Sequence, residues 1–565
     1  MWAIDLGTTN TGVARWSEEE GRPRLVELPD ICRRPGSDDH LEAPLLVPSV
    51  TQVYESLGFW ARLGRWKPIA KSMFLGKQAQ IGRPAMEMNA GQVRPSYATS
   101  FKPFLGRAPL RSVARVGKRP VSARDVARLF VRELLVEVKE TTGERIRDVV
   151  VTTPVDSYES YRAELSAIFK AYGVRRIRFL DEPVAAAIGY GLGLKQNRLA
   201  VVVDFGGGTL DVALVSLTAK GVQEGSCEVL GKEGRPIGGN LVDRWLLSDF
   251  CEQLGYPFPD LTDGEPKAFW GRMMLQETCR VKEAVFFKSA ETFLPTPPDE
   301  LHRFEERIRG ESSTLNVTRE DVIRVLEQQG LYEALGECID GVLQQAEKHG
   351  ISEKDIEDVL MVGGSTLLPG VYPVFEQRFG RDVVRAWQPF EAVAYGAAAF
   401  AADQSNQSDF IVHDYAFVTH DLNTHEKQYS VIVPHGTRFP TSSDFWKRQL
   451  VPTCSLGEPE TMFKLVICEV GRDYVGDRKF AWDAEGRLHK LGGGRGEENS
   501  EPLVVPLNES NPTLGYLKPP HPPSDKRPRL EIAFGVNTER WLCATVYDLR
   551  TKKYMMREEP VVRLL

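Results

Sequence analysis

The chain of 565 residues contains no run of 18 apolar residues, so no segment is long enough to cross a bilayer as a helix. Its eight cysteines include no C-x-x-C pair; Cys32, Cys227 and Cys279 each stand alone. That excludes a zinc knuckle and a disulfide framework, and it suits a reducing compartment. None of the nine histidines falls in an H-E-x-x-H, which removes the helical zinc-hydrolase motif. Basic excess is also missing. The net charge is −7, whereas general nucleic-acid binding needs a basic face. Every Gly-Lys continues into Gln78, Arg119 or Glu233 rather than a hydroxyl residue, and no G-x-G-x-x-G follows a strand. A P-loop and a dinucleotide fold are therefore not expected. Strand-like sequence begins at Met1-Trp2-Ala3-Ile4, which leaves no room for a signal peptide, and the cytoplasm is the expected compartment.

What remains is an ordinary globular composition, 42% hydrophobic and 26% charged, in a chain long enough for two to four domains. From Met1 to about Asp403, short apolar strands alternate with amphipathic helices. Residues 126–138 and 319–349 have helical patterning, while 148–151 and 359–362 look like buried parallel strands. We read 1–403 as an α/β domain. A polar break, Asp403 to Ser408, leads to the compact apolar segment Phe410-Ile411-Val412, and 404–414 is the expected linker. Beyond about Tyr415, strand-like runs at 429–434, 463–470 and 529–534 are separated by Gly, Pro and Asn turns, and 518–528, with five prolines, is an expected loop. The segment 415–565 is the expected all-β sandwich.

Two stretches share one design about 200 positions apart: Ile4-Asp5-Leu6-Gly7-Thr8-Thr9-Asn10 and Asp204-Phe205-Gly206-Gly207-Gly208-Thr209-Leu210-Asp211. Each runs strand, acid, glycine turn, hydroxyl, strand. Glycine lets backbone N–H groups approach phosphate oxygens closely, and the threonines add hydroxyl donors. Asp5 and Asp204 would repel phosphate unless a cation lay between, which implies Mg²⁺ held through water. A lone turn of this kind is weak evidence, since a glycine-rich hairpin with a capping Asp is common; the pair suggests a duplicated unit with phosphate between its halves. A third turn, Gly363-Gly364-Ser365-Thr366, follows a strand and precedes a helical pattern, where a helix N-terminus would favour an anion. Its bland alternative is an ordinary strand-to-helix turn.

In the order of these motifs the chain resembles the 70-kilodalton heat-shock chaperones, as a divergent, bacterial-type member. Besides the two turns, Thr152-Thr153-Pro154 with Arg162, Asp181-Glu182-Pro183-Val184-Ala185-Ala186-Ala187, Gly238-Gly239, Val362 to Thr366 and Glu391 to Ala398 follow the family series. The resemblance implies a two-lobed actin/hexokinase-like ATPase domain of duplicated ribonuclease-H-like fold, followed by a β-sandwich. It also implies ATP/ADP and Mg²⁺ as cofactors. Asp5 and Asp204 would orient the metal, and Lys102, Glu182 and Asp211 would act on the terminal phosphate and the attacking water. Gly7, Thr8, Thr9, Asn10, Gly206, Gly207, Gly208, Thr209, Gly238, Gly239, Gly363, Gly364 and Ser365 would cradle the nucleotide. Pro154 and Arg162 would relay between nucleotide and β domain, or else be a turn proline and a surface arginine.

The sequence departs from the family at the adenosine pocket. Lys282, Phe286 and Leu367 occupy positions where the family has a basic pair with a serine and an arginine, and Phe390 replaces an acid. Phe286 and Leu367 would either sandwich a purine or serve as core. In the β region Phe445-Trp446 stand at the family's central peptide pocket, or they are sandwich core. Sequence matching a helical lid is absent, so a lidless molecule with fast release is expected. Three functions follow in order: an ATP-dependent chaperone acting on unfolded peptide or one dedicated client, with J-domain or nucleotide-exchange co-chaperones; a nucleotide-regulated binding factor with little hydrolysis; and, well behind, a small-molecule kinase of the same fold. A monomer, with neither nucleic-acid nor membrane partner, is expected.

Overall fold

The structure is a computed structural model that describes residues 1–35, 43–54, 76–89, 93–105, 111–154, 159–192, 197–255, 258–259, 266–294, 314–402, 411, 414–420, 427–434, 437–454, 458–471, 480–483, 486–490, 503–509, 512–538 and 540–564. The chain divides into two compact units: Met1–Phe379 with Val384–Asn406, and Gly380–Val383 with Gln407–Leu565.

Two five-strand paths organise the first unit. In the first, β1 (Trp2–Leu6), β2 (Asn10–Ser17) and β3 (Arg22–Leu25) form an antiparallel meander. Strand β4 (Asp148–Thr153) then pairs parallel with β1, and β5 (Arg176–Asp181) parallel with β4. The second repeats this. Strands β6 (Arg198–Phe205), β7 (Leu210–Leu217) and β8 (Glu228–Arg235) form the meander, and β9 (Asp358–Val362) and β10 (Val384–Arg385) extend it in parallel. The central strands Val149-Val150-Val151 and Val201-Val202-Val203 are buried, as near-continuous β-branched runs in covered sheets should be.

Helices cover these sheets. The helix α1 (Ala123–Thr142) starts at Ser122, whose hydroxyl accepts from the Asp125 N–H, and stops at Gly143, at φ 75°. It buries Val126, Phe130, Leu134 and Val138, one face at a spacing of four. Helices α2 (Glu159–Ala171) and α3 (Glu182–Gly189) follow β4 and β5, and α4 (Gly239–Leu254) follows β8. The expected single helix over 319–349 is two, α5 (Arg319–Gln328) and α6 (Leu331–Glu347), because Gly330 between them adopts φ 72°, which breaks the helical path. Helix α7 (Ala392–Ala401) follows β10 as α3 follows β5, and the two pack at van der Waals limit. A Cβ added at Gly189 would lie 1.9 Å from the Ala392 carbonyl oxygen, and one at Gly396 1.8 Å from that of Ala185.

Every described element after residue 413 is a strand. One sheet joins β11 (Asp414–His420), β12 (Lys427–Val433), β14 (Ile467–Gly471) and β15 (Leu503–Pro506); the other joins β13 (Trp446–Leu450), β17 (Leu530–Val536), β18 (Trp541–Asp548) and β19 (Lys553–Arg563). Tyr415 and Phe417 from the first share one core with Ile532, Phe534, Leu542 and Val546 from the second. The expected strand over 463–470 is broken at Val466: Glu460–Leu465 pairs with β16 (Thr513–His521), while β14 joins the main sheet. The expected proline loop begins later than 518, because β16 runs on to His521. Its Leu517–Pro520 stretch has no ladder partner, so prolines lacking an N–H are tolerated there. Of the expected linker apolars, Phe410 and Val412 lie outside the described residues. Ile411 is fully buried in the β core, and its N–H donates to the Thr437 carbonyl at 2.8 Å.

Candidate phosphate site

Strand register brings the two acidic turns together. Asp5 is next to last in β1 and Asp204 next to last in β6, the equivalent central strands. A Cβ on Gly207 would stand 3.1 Å from the Thr9 hydroxyl and 3.5 Å from the Asn240 carboxamide oxygen, so the turns face one another. Thr8, Thr9, Gly208 and Thr209 are exposed at their tips, available to a ligand. The first turn is held from behind by Ser49, whose hydroxyl donates to the Gly7 carbonyl at 2.8 Å; Asn10 accepts from Arg33. The second is closed by the Gly206 N–H donating to the Thr209 carbonyl.

Gly238 and Gly239 brace this second turn. The Gly239 and Asn240 N–H groups donate to the carbonyls of Gly206 and Gly207, and a Cβ on Gly238 would sit 2.5 Å from Gly207 backbone atoms. The N-terminus of α4 is thus spent on holding the turn. The third turn behaves likewise. Gly363, at φ 89°, would clash with the Phe205 carbonyl if it bore a side chain, and the Ser365 hydroxyl donates to the Gly206 carbonyl at 2.8 Å. It opens a four-residue 3-10 helix, Gly364–Leu367, rather than the expected α-helix, and Phe390 packs on Gly364.

Charge is concentrated between the turns. Lys102, at the start of the short helix Lys102–Phe104, places its ammonium 2.6 Å from a Glu182 carboxylate oxygen. Burial alone would lower the Lys102 pKa, but the Glu182 and Asp5 carboxylates outweigh it and hold the ammonium charged. Asp5 accepts from the Thr152 hydroxyl at 2.6 Å. Its carboxyl is raised to about 6, first by burial and then by Glu182, against Lys102 and Thr152. Asp204 is raised to about 7, by loss of surrounding water and then by Glu182, Asp211 and Asp5, against Lys102. The Asp204 side chain opens onto the cleft, so water offsets part of the first cause; the upward direction rests on the three neighbouring acids. Asp211 stands directly across the hairpin from Asp204, and its carboxylate lies against Gly234. Among the described residues no three His, Cys, Asp or Glu side chains form a closed metal site. Two acids with water is the coordination style of Mg²⁺, which keeps much of its hydration shell.

Other sequence candidates sit further out. Arg162 pairs with Asp181, the residue before Glu182, and Pro154 directly follows β4. Lys282 is buried and paired with Asp243 at 2.7 Å, a partner that no motif suggested. Phe286 and Leu367 are 4% and 1% exposed, so neither presents a face to a ligand in this structure. In the β unit Phe445 is 44% exposed, while Trp446 packs on Phe417 and Phe534 at the rim of the core. Thr152, read in the sequence only as part of the Thr152-Thr153-Pro154 segment, bonds Asp5, and Asn240 stands beside the second turn without having been singled out. The pairing of Thr152 with Asp5 depends on the parallel register of β1 and β4, and nothing local marks Asn240.

Fold and site together define a class: an α/β unit with paired acid-and-glycine turns at a charged cleft, continued by a β-sandwich. Residues 2–469 match the Hsp70 protein family, and the chain belongs to that family. It is 26% identical over 492 residues to heat shock 70 kDa protein 7, chloroplastic, of Arabidopsis thaliana, covering 84% of this chain and 61% of that one. It is 26% identical to the stromal 70 kDa heat shock-related protein, chloroplastic, of Pisum sativum, covering 84% and 62%. With the chaperone protein DnaK of Thermus thermophilus it shares 25% over 455 residues, covering 78% of this chain and 66% of that one. The chain therefore spans a little under two thirds of the length of these relatives. No helix among the described residues is long and apolar enough to cross a membrane.

Proposed function

We propose that the first unit binds and slowly hydrolyses Mg-ATP, and that the bound nucleotide controls capture of unfolded peptide or a dedicated protein client by the β-sandwich. The observation that carries this reading is the meeting of the two turns, Thr9 against Gly207, with Asp5, Asp204 and the Lys102–Glu182 pair between them. The common strand order supports a duplicated ribonuclease-H-like fold of the actin/hexokinase type. Chaperone names among the relatives support the role, and we take J-domain and nucleotide-exchange proteins as its partners. All eight cysteines are free, which suits the cytoplasm. We take 1–403, 404–414 and 415–565 as nucleotide domain, linker and client domain.

The residues present fit the nucleotide and its metal. Thr8, Thr9, Thr209 and the bare backbone of Gly206–Gly208 would hold phosphate, and Asp5 and Asp204 the hydrated Mg²⁺. When bound, the metal neutralises charge on the phosphoryl oxygens. Lys102 holds a fixed positive charge beside them. Glu182 and Asp211 are acceptors able to orient water, and positioning with electrostatic stabilisation supplies most of such catalysis. Pro154 and Arg162 would report the state of the site, Arg162 through its pair with Asp181, the residue before Glu182.

Calorimetric titration of Mg-ATP with product analysis of the same sample tests this. Heat of binding with slow ADP release supports the ATPase. Binding with intact ATP supports the second reading, a nucleotide-regulated binding factor, which the burial of Phe286 and Leu367 favours. No heat overturns both.

A further inference from the structure

Asn240 is the second residue of α4. Its N–H and that of Gly239 are spent on the Gly207 and Gly206 carbonyls, and those of Leu241 and Val242 donate to Gly238. The start of the helix therefore has no backbone donor left for a ligand. The Asn240 carboxamide remains. The residue is exposed, and its carboxamide oxygen lies 3.5 Å from the place that a Cβ on Gly207 would fill. The Thr9 hydroxyl lies 3.1 Å from the same place. One polar side chain from each half of the unit thus borders the same patch of bare turn. A Cβ on the neighbouring Gly208 would meet nothing within 4 Å, so the space in front of the turn is open to a ligand.

We propose that the Asn240 carboxamide donates a hydrogen bond to a phosphoryl oxygen of a bound nucleoside di- or triphosphate, facing Thr9 across the ligand. The inference rests on the nucleotide reading above. A carboxamide carries a donor and an acceptor on one end, and turning that end over presents N–H where the oxygen stands. The charged groups of the second turn, Asp204 and Asp211, are both acids and oppose phosphate. A lysine or arginine beside them would be drawn into an ion pair, as Lys282 is with Asp243. A neutral amide escapes that capture. It recognises phosphate by the direction of its N–H rather than by charge, and it leaves the acids to the metal.

Two variants of the full chain test this by calorimetry with Mg-ADP and, separately, Mg-AMP-PNP. Asn240→Ala removes the donor, and affinity for both ligands should fall about tenfold. Asn240→Asp keeps the size and sets a negative charge against the phosphate, so the loss should deepen to about 100-fold. The melting temperature of unliganded Asn240→Ala should match that of the wild type, because the side chain is exposed. Wild-type affinity in both variants would overturn the inference. So would an Asn240→Asp chain that binds more tightly than Asn240→Ala, which would place the group against the metal. A loss of affinity in Asn240→Ala that comes with a lower unliganded melting temperature would mean a structural residue and overturn it too. A wild-type chain that binds neither ligand overturns the proposed function and this inference with it.

Discussion

The two halves of the first unit share one strand order and differ in chemistry at equivalent places. Opposite Asp5 across its hairpin stands Gly12; opposite Asp204 stands Asp211. The parallel neighbour of β1 offers Thr152, whose hydroxyl bonds Asp5; the parallel neighbour of β6 offers Val362 at the same place, across from Asp204. The Lys102–Glu182 pair is drawn from the first half alone. Repetition of the backbone thus supplies symmetric acids, while side chains set Lys102 and Thr152 beside the acid of one half and a second acid, Asp211, across from that of the other. A cleft between such halves offers an acid and a glycine turn from both sides, with the Lys102 charge added from the first.

The largest expected effect breaks the acidic half. Asp204→Asn should lower Mg-ATP affinity on the order of 100-fold, since a carboxylate facing a metal contributes several kcal/mol. It should also raise the melting temperature of the unliganded chain, by relieving repulsion with Asp211 and Glu182. Asp5→Asn should cost only about tenfold in the same titration, because its neighbours across the sheet are a hydroxyl and a glycine rather than a second acid. Equal losses would sink the asymmetry.

Next comes the packing that joins the halves. Gly189→Val and Gly396→Val each push a side chain into a facing carbonyl, and each should lose about 3 kcal/mol in urea unfolding. Comparable losses are expected, because the two glycines play matching parts in α3 and α7. A variant at one site that is neutral while the other unfolds would show that the helix pair is not the shared hinge-point of the repeat.

The pH dependence follows from the acids. Asp5 and Asp204 are raised above their usual 3.8, so between about pH 4 and 7 the native state binds more protons than the unfolded chain. Stability of the unliganded protein should therefore fall as pH rises through that window. Asp211→Asn should flatten the fall by removing one of the charges that raises Asp204. A melting temperature that climbs from pH 5 to 7 would contradict the sign. The smallest effect tests equivalence itself. Thr152→Val gives the first half the valine of the second, and Mg-ATP affinity at pH 6 should drop about threefold as Asp5 loses its hydrogen bond.

Much of this was legible in the chain. Apolar runs such as Val149-Val150-Val151 and Val201-Val202-Val203 announce buried strands, and glycine after acid announces the turns, because both signals are local and need no partner. Boundaries failed where one residue decides: Gly330 divides a helix, and Val466 separates strands that go to different places. The burial of Ile411, written as linker, came from a core assembled by strands from distant parts of the sequence.

The sequence by itself determined the alternation of strands and helices, the duplicated acid and glycine turns, and the change to β structure near Tyr415. These are properties of short stretches, set by backbone freedom and by the period of apolar residues. Tertiary structure alone decided that Gly238-Gly239 and Ser365 brace the Gly206 turn instead of offering donors, and that Lys282 spends its charge on Asp243. The reason is physical: a polar group's role depends on what satisfies it after burial, and its partners come from elsewhere in the chain.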